Sequence, residues 1–310
     1  TWLVKANLEG ANLERANLEG ANLHKADLRE TILEDVNFKE AGLEEANFQG
    51  ANLQDANFHK ADLERASLMG TNLKGVDFEE SNLQETDLKG AAFDIDSLKS
   101  ARNWVLAYYS EESLNKLGLP AIHNKLVKEK NLKGYDFEGA NLWKADLTGF
   151  NLEGINLQGA NLQGANLKAA NLHKANLWKA NLQGANLQGT NLWKANLEGV
   201  NLKGNNLEGA NLEEANLREA NLEETRLLGA SLNYANLGMA KLERVILDGV
   251  WLKEANLEGA RLREASLEEA NLEKANLQKA NLEKAVLVET NLSGARLQEA
   301  NLEGANLQGA

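Results

Sequence analysis

The hydrophobic positions of the chain recur every five residues in two long tracts. From Leu3 to Phe93 every fifth residue is Leu or Phe, nineteen times in succession, and from Leu132 to Leu307 the rule holds thirty-six times more. A small residue, usually Ala, stands two positions before each of them, and Asn or Asp usually stands between the two. The chain is therefore built from units of five residues.

A spacing of five residues fits neither a straight α-helix nor a flat strand. Five residues advance an α-helix by about 140°, which would scatter the leucines around all of its sides. Side chains of a strand alternate with a period of two, so successive leucines would point to opposite faces. We therefore expect one turn per unit, with the small residue and the Leu both pointing inward and with Gly and polar residues at the turns.

These A-(N/D)-L-x-x units resemble the pentapeptide-repeat family pattern, and the resemblance covers all but about residues 94–130. It implies an all-β solenoid, a right-handed quadrilateral parallel β-helix with about four pentapeptides per coil of twenty residues. The sequence supports a coil of twenty on its own, because Phe38, Phe58 and Phe78 are spaced by twenty. We expect these three rings to stack on one inner wall.

The five-residue rule fails between Phe93 and Leu132. We therefore expect two repeat arms, residues 1–93 and 131–310, interrupted by a short α-helical segment over residues 94–130 that acts as an insert, a linker or a cap.

Local signals predict three helices in this segment. Asp96 or Ser97 can cap the first, Ser110 begins the second, and Gly118 ends the second before Pro120 opens the third. The apolar positions of the first helix, spaced by three and four residues, are Leu98, Ala101, Val105 and Tyr108.

The segment contains the patterns N-W-x-x-A-x-Y and L-G-L-P. They resemble a short helical module found beside pentapeptide repeats in cyanobacterial proteins. Two hypotheses follow for its apolar side chains: they cover the open end of one β-helix or join two of them, or they form a docking site for a partner. The residues concerned are Trp104, Tyr108, Leu114 and Leu117.

Charge and composition narrow the possible partners. The formal net charge is −13, and residues 1–93 hold 18 acidic against 9 basic side chains. An acidic surface opposes direct binding to nucleic acid phosphates and leaves basic proteins or mimicry of DNA open. There is no Cys, and hence no disulfide framework or thiol chemistry. No apolar run approaches the roughly 20 residues of a membrane-spanning helix.

Candidate catalytic and metal-binding groups are poorly placed. The four histidines, His24, His59, His123 and His173, have no metal-ligand spacing among them. The carboxylates occupy variable positions that face solvent, whereas acid–base catalysis needs sheltered groups with shifted pKa values. We therefore expect no enzyme activity, no cofactor, no metal and no small-molecule substrate.

The outward-facing positions break their polar pattern in one region. Arg226, Ile246, Ser266 and Val286 replace Asn at intervals of twenty, so they form one column on one wall. Exposed apolar residues beside this column predict a surface for a protein partner or for self-association; the alternative is harmless drift of the repeat. The candidate interaction surface is Leu228, Tyr234, Ile246, Trp251, Val286 and Val288.

Three tryptophans, Trp143, Trp178 and Trp193, are each followed by Lys. Coils of four units place them on three different walls, so they cannot form one flat platform for stacking bases or sugars. We expect the lysines to shield the rings through cation–π contacts. His173 precedes Trp193 by twenty residues, so those two rings should stack.

Two functions remain open. The first is a non-catalytic scaffold that presents a rigid surface to a protein partner. The second follows from the resemblance, because some pentapeptide-repeat proteins mimic duplex DNA and bind type II topoisomerases such as gyrase. We expect a cytoplasmic protein; the chain starts and ends in mid-pattern, which is also compatible with a fragment of a longer protein.

Overall fold

The computed structural model describes residues 1–121 and 123–310. The chain divides into two compact units, an N-terminal unit of residues 1–129 and a C-terminal unit of residues 130–310. In both units the repeats coil in the same way, and the segment between the two repeat tracts belongs to the N-terminal unit.

Each coil contains twenty residues. Parallel bridges join residues twenty apart throughout both tracts, from Trp2↔Asn22 onward. The backbone N–H of Leu8 donates to the carbonyl of Asp27 at 2.8 Å, and the N–H of Asp27 donates to the carbonyl of Ala6 at 2.8 Å. Four pentapeptides therefore make one coil, and each coil pairs with the coils above and below.

Most of the pairing consists of these single bridges because each side of a coil is only a few residues long. Two-residue strands are found near the end of the first tract, where β1 (Asn72–Leu73) pairs in parallel with β2 (Ala92–Phe93). The register joins Asn72 to Ala92 and Leu73 to Phe93, again twenty residues apart. The same ladder thus continues whether or not it is long enough to be a strand.

A tight turn ends each unit. The fifth position has a left-handed backbone, with φ of 56° at Lys5 and 55° at Ala169, and the next N–H closes the turn onto the Leu carbonyl. A left-handed conformation costs about 1–2 kcal/mol for a residue with a Cβ atom, which explains the many Gly residues at this position. At Gly75 a Cβ would also lie only 1.9 Å from Oδ1 of Asp55, so a larger residue there would displace the Asp55 side chain in addition to straining the backbone.

The core is a column of small residues and leucines, nearly all of them fully buried. The prediction for the phenylalanines is confirmed. The rings of Phe38 and Phe58 stack at 5.1 Å between centroids, and those of Phe58 and Phe78 stack at 5.7 Å. Phe48 meets Phe38 and Phe58 edge-on. The interior of the N-terminal unit therefore holds an aromatic stack in place of uniform leucine layers.

Within the described residues, four short helical elements follow the first tract. They are α1 (Ile95–Ser100), a 3₁₀ helix (Trp104–Leu106), α2 (Glu111–Leu117) and α3 (His123–Lys128), which begins three residues after Pro120. Short helices of this kind depend on tertiary packing because a single turn does not repay its nucleation.

The first helix differs from its prediction. It ends at Ser100 and does not reach Tyr108, because Arg102 and Tyr108 form parallel bridges with Asn82 and Asp87. The chain thus returns to the ladder and adds two more sides to the stack of coils. Hydrogen bonding to the coil below outweighs the local helical periodicity.

The helix ends agree with the sequence signals at α2 but not at α1. The side chain of Ser110 accepts a hydrogen bond from the N–H of Ser113 at 3.3 Å, and Gly118 ends α2 with φ of 72°. Both follow the prediction. In α1 the N-cap position is held by Asp94, two residues before Asp96, and its side chain makes no cap hydrogen bond.

Candidate interaction surface

The Asn of each unit links neighbouring coils. Oδ1 of Asn57 accepts the N–H of His59 at 2.9 Å, a hydrogen bond within one unit that caps the N–H two residues later. Nδ2 of Asn37 donates to Oδ1 of Asn17, twenty residues earlier, at 3.1 Å, and to Glu19, eighteen residues earlier, at 3.2 Å. A surface residue therefore touches a stacked neighbour at i+20 and a diagonal neighbour at i+18.

Charged side chains use the stacked neighbours. Lys25 pairs with Glu45 at 3.3 Å in the N-terminal unit, and Lys203 pairs with Glu223 at 3.1 Å in the C-terminal unit. Such exposed pairs contribute only about 0–1 kcal/mol each. Their main consequence is that opposite charges alternate along the coils.

Leu228 and Ile246 place two apolar side chains at a diagonal pair of positions where this polar network is interrupted. They are diagonal neighbours by spacing, and the side chains of Leu228 and Ile246 are 72% and 63% exposed. They line a shallow hollow of about 220 Å³ together with Arg226, between Glu208 and Asp248. An apolar pair this exposed on an otherwise hydrogen-bonded face is a candidate contact for another molecule.

The loss of Asn is compensated at Ser266 but not at Ile246. Oδ1 of Asp248 accepts both the Ser266 hydroxyl at 2.6 Å and the N–H of Glu268 at 3.0 Å, and so replaces the missing Asn. Across the part of the chain that the structure describes, no side chain accepts the N–H of Leu228 or of Asp248. The two residues of the hollow whose N–H groups lack this cap, Leu228 and Asp248, thus flank the position of the missing Asn.

Trp251 and Tyr234 lie on the next face of the coils. Their side chains are 55% and 51% exposed. Oδ1 of Asn233 accepts the N–H of Lys253 at 3.0 Å, which compensates for the missing Asn at the Trp251 position. Tyr234 lies at the far corner of this face, where its N–H donates to the carbonyl of Lys253 at 2.9 Å. Trp251 is therefore the nearer of the two to Ile246.

Val286 and Val288 are separate from the apolar pair. Both are only half-buried, and the hydrogen-bonded Asp248–Ser266 contact occupies the coils between them and Ile246. Of the six residues predicted from the sequence, Leu228 and Ile246 are therefore the two that line one hollow.

The structure also exposes residues that the sequence analysis missed. Met239 is 55% exposed and lies beside a hollow where Gly238 contributes no side chain. The sequence does contain a signal for this hollow: Gly238 stands directly after the Leu of its unit, where most units have a long polar residue.

The tryptophan predictions are confirmed. Each neighbouring Lys ammonium lies over its ring, and the ring of His173 stacks on that of Trp193 with 4.6 Å between centroids and an angle of 8°. The Lys Nζ to ring distances are 4.3 Å for Lys144 and Trp143, 4.1 Å for Lys179 and Trp178, and 4.7 Å for Lys194 and Trp193. The faces of these tryptophan rings are therefore covered by contacts within the chain.

The segment after the first tract packs onto the core of the N-terminal unit. Leu114 and Leu117 are buried in that core, and Trp104 packs against it while remaining partly exposed. Tyr108 is half-buried beside Lys89. Residues that cover the core in this way have little apolar surface left for a partner.

Tyr109 and His123 are buried at the centre of this packing. The Tyr109 hydroxyl donates to the Trp104 carbonyl at 2.6 Å, and burial raises its pKa well above the ordinary value. Burial lowers the pKa of His123 to about 4, partly offset by hydrogen bonds to the Ala107 and Val105 carbonyls. His123 is thus neutral at physiological pH and serves packing.

One group of side chains could hold a metal ion. Among the described residues, His59, Asp77 and Glu79 place ligand atoms within 4.8 Å of one another. The spacings among the histidines do not reveal this group, because the two partners of His59 are carboxylates. Asp77 and Glu79 follow it by eighteen and twenty residues.

Within the described part of the chain, no helix has the length and apolar character needed to cross a membrane.

Two family models match the chain. The model described as a pentapeptide repeat region matches residues 3–93. The model described as pentapeptide repeats matches eight copies over residues 128–154, 136–178, 151–189, 180–218, 210–249, 252–287 and 275–310.

Several solved structures are similar. HetL, a pentapeptide repeat protein involved in heterocyst differentiation regulation from the cyanobacterium Nostoc, is 26% identical over 100% of this chain and 90% of its own, with a TM-score of 0.23. A pentapeptide repeat protein of the Arabidopsis thaliana thylakoid lumen is 30% identical over 37% of this chain and 70% of its own, with a TM-score of 0.18.

QnrB1, a plasmid-mediated fluoroquinolone resistance protein, is 19% identical in one variant structure, over 55% of this chain and 88% of its own, with a TM-score of 0.43. No curated protein matches the chain. The family models together span most of both repeat tracts, and the coil of twenty residues has the four sides expected of their right-handed quadrilateral β-helix. The chain belongs to the pentapeptide-repeat family.

Proposed function

We propose that this chain is a non-catalytic scaffold that binds a protein, a partner or a second copy of itself, through the exposed apolar pair Leu228 and Ile246. The observation that supports this most directly is that both side chains line one exposed hollow at diagonal positions. At equivalent positions elsewhere, such as Asn37 with Glu19, a hydrogen bond joins the two coils. Here two large apolar side chains stand open to solvent instead.

Burial of this pair would provide a compact binding centre. Removing a Leu or Ile side chain from water contributes about 1.5–3 kcal/mol. The N–H groups of Leu228 and Asp248 can donate to carbonyls of the bound chain, which would fix its orientation. Glu208, Asp248 and Arg226 form a charged rim, as in binding sites where a few apolar residues supply most of the affinity.

Ile246→Asn tests the proposal because it restores the family residue at that position. The new side chain can cap the N–H of Asp248 as Asn206 caps Glu208 at 3.0 Å. We expect the variant to fold normally and to lose association. Sedimentation velocity measures self-association, and affinity capture from cells measures retention of a partner.

Val286→Asn is the matched control, since it makes the same change in the same column two coils away. We expect it to bind as the wild-type chain does. The double variant Ile246→Glu with Trp251→Glu adds charge repulsion and should abolish association completely. If Ile246→Asn and the double variant associate and capture the same proteins as the wild type, this surface is not the interface.

We also propose that the two repeat tracts act as separate arms and that the segment over residues 94–130 closes the end of the first. Burial of Leu114 and Leu117 in the core of the N-terminal unit supports closure more than docking. Replacing the segment by a short flexible linker should destabilise residues 1–93, as seen by hydrogen exchange. Loss of a bound partner with unchanged exchange would favour the docking hypothesis.

Mimicry of DNA toward a type II topoisomerase is the second candidate. The excess of acidic side chains in residues 1–93 favours it. Cross-coil pairs such as Arg15 with Asp35 and Arg65 with Glu85 oppose it, because they neutralise the acidic columns that would imitate phosphates. A gyrase supercoiling assay discriminates, since a DNA mimic changes supercoiling and an unrelated scaffold does not.

The absence of catalysis, of a cofactor and of a small-molecule substrate is part of the same proposal, as is a cytoplasmic location. Its physical basis is that most surface carboxylates lie on solvent-facing columns, and the partly sheltered Glu243 is paired with Arg261 at 2.6 Å.

A further inference from the structure

His59, Asp77 and Glu79 meet on one face of the N-terminal unit. Nδ1 of His59 lies 3.6 Å from Oε2 of Glu79, and one ligand atom from each of the three residues lies within 4.8 Å of the others. They belong to two successive coils. His59 contributes from one coil, and Asp77 and Glu79 from the next.

The repeat lattice creates this convergence. Glu79 is the stacked neighbour of His59 at i+20, and Asp77 is its diagonal neighbour at i+18. The same diagonal carries a hydrogen bond between Asn37 and Glu19 two coils earlier on this face. Any residue placed at these three positions is therefore brought together by the backbone ladder.

The ladder also fixes the backbone beneath the three side chains. Oδ1 of Asp77 accepts the N–H of Glu79 at 2.9 Å, and Oδ1 of Asn57 accepts the N–H of His59 at 2.9 Å. The Phe58 N–H donates to the carbonyl of Asp77 at 2.8 Å. The Asp77 carboxylate is held by one oxygen, and its second oxygen is available to a ligand.

We propose that His59, Asp77 and Glu79 bind a divalent transition-metal ion of the Zn²⁺ class. One imidazole nitrogen and two carboxylate oxygens suit such an ion, with water completing its coordination. Ligands about 2.1 Å from one metal are at most about 4.2 Å apart. The Glu79 side chain is 66% exposed and free to rotate, so it can close the remaining distance.

A second histidine in the same unit shows what the site requires. His24 also has a glutamate, Glu44, as its stacked neighbour, but its diagonal neighbour is Gly42, which offers no ligand. Among the described residues, His59 is the one histidine in a group of three potential ligands. The aspartate at i+18 distinguishes the proposed site from an ordinary pair between coils.

A simple ion pair is the competing explanation. A protonated His59 beside Glu79 would resemble the stacked pair of Lys39 with Glu19 on the same face. That explanation needs neither Asp77 nor a metal. The two explanations therefore differ in what happens when Asp77 alone is changed.

Titration of the full chain with ZnCl₂ by isothermal calorimetry tests the proposal. Asp77→Asn is the decisive variant, because Asn is the residue that the family places there and it can still accept the Glu79 N–H. Since changes outside the ligand set commonly cost 10–100-fold in metal affinity, we expect Asp77→Asn and His59→Ala each to weaken the tightest Zn²⁺ site at least about tenfold. His24→Ala should leave it unchanged.

Thermal unfolding provides a second measurement. An ion that binds the folded state raises the unfolding temperature, so Zn²⁺ should stabilise the wild type and His24→Ala more than Asp77→Asn. The proposal is overturned if the wild type shows no single saturable site for Zn²⁺. It is also overturned if Asp77→Asn and His59→Ala bind Zn²⁺ as tightly as the wild type. Equal binding by these variants would identify weak, unspecific attraction to the acidic surface.

Discussion

The two units differ in where they depart from the repeat. In the N-terminal unit the most marked departures lie inside and at the end of the coils: Phe38, Phe58 and Phe78 replace leucine and stack, and Leu114 and Leu117 of the following segment pack into the core. Its surface departures Ile32 and Met69 are less exposed than the large departures of the C-terminal unit. In the C-terminal unit the interior from Ala160 to Leu287 is nearly uniform Ala and Leu, and the large departures are on the outer surface, at Leu228, Ile246 and Trp251.

This difference separates stability from recognition. Each coil contacts only its neighbours, so stability adds up along the solenoid and any coil can be altered almost independently. A change inside a coil affects packing, whereas a change on the surface leaves the core and ladder intact. Internal irregularity therefore changes packing, and external irregularity changes what the surface offers to other molecules.

The largest expected effect is in the aromatic stack. Phe58→Ala should cost about 4 kcal/mol, because it removes a fully buried ring between two stacked rings. Phe58→Leu, which restores the residue usual in the C-terminal unit, should cost roughly 1–2 kcal/mol. Hydrogen exchange resolved by peptide measures both within residues 1–129. Equal stability of Phe58→Leu and wild type would show that the stack contributes nothing.

The next effect is pH-dependent and confined to the N-terminal unit. The buried His123 has a pKa of about 4 against 6.5 when unfolded. The unfolded chain therefore binds the proton more readily, and stability falls as the pH drops from about 6.5 to about 4. The loss should approach about 3 kcal/mol. Denaturant unfolding at several pH values measures it.

His123→Leu is the control for this prediction, since it cannot titrate and stays apolar. Its stability should not change between pH 6.5 and pH 4 in the way the wild type does. The pKa of Asp27 is lowered by its hydrogen bond to Arg29, so the stability that Asp27 contributes is lost only below the pH range in which His123 acts. The contributions of His123 and Asp27 to the pH dependence therefore separate. An unchanged slope in His123→Leu would assign the acid sensitivity to other groups.

A smaller effect tests the turns of the C-terminal unit. Ala169 has a left-handed backbone with φ of 55°, so Ala169→Gly should raise stability by up to about 1 kcal/mol. Gly189 occupies the stacked position one coil later, and a Cβ there would meet no atom within 4 Å. Gly189→Ala should therefore destabilise by a similar amount through backbone strain alone. Thermal unfolding that shows the same sign for both would contradict this account.

The smallest effect on stability should come from the candidate surface. Ile246→Asn should change the free energy of unfolding by less than about 0.5 kcal/mol, because it alters no core residue and adds a cap for the N–H of Asp248. Chemical denaturation measures this beside the loss of association. A large destabilisation would mean that Ile246 stabilises the folded state. The distinction between departures from the repeat inside the coils and on their surface would then not hold at this position.

Local patterns predicted most of the regular structure. The turn at every unit, the stack of Phe38 on Phe58 and the stack of His173 on Trp193 all follow from the coil length. The ends of α2 at Ser110 and Gly118 follow from capping chemistry that needs only neighbouring residues. The course of α1 could not be predicted in this way, because pairing with Asn82 and Asp87 draws the chain out of the helix.

The sites divide along the same line. Period and composition pointed to the column that contains Ile246, and counting by twenty placed Val286 in it. The break between them depends on a hydrogen bond from Ser266 to Asp248, which is a matter of side-chain conformation. The convergence of His59 and Asp77 depends on the diagonal contact, which becomes visible only once the coils are stacked.

The sequence by itself determined the coil and which side chains point inward, because each five-residue unit repeats the same turn and the same alternation. The tertiary structure alone decided which surface residues touch across coils and which groups lose water, as His123 does. Those contacts join residues eighteen to twenty positions apart or, as for His123, bury a group within the packing of the segment that follows the first tract. Their energies depend on stacking and desolvation, which no single unit contains.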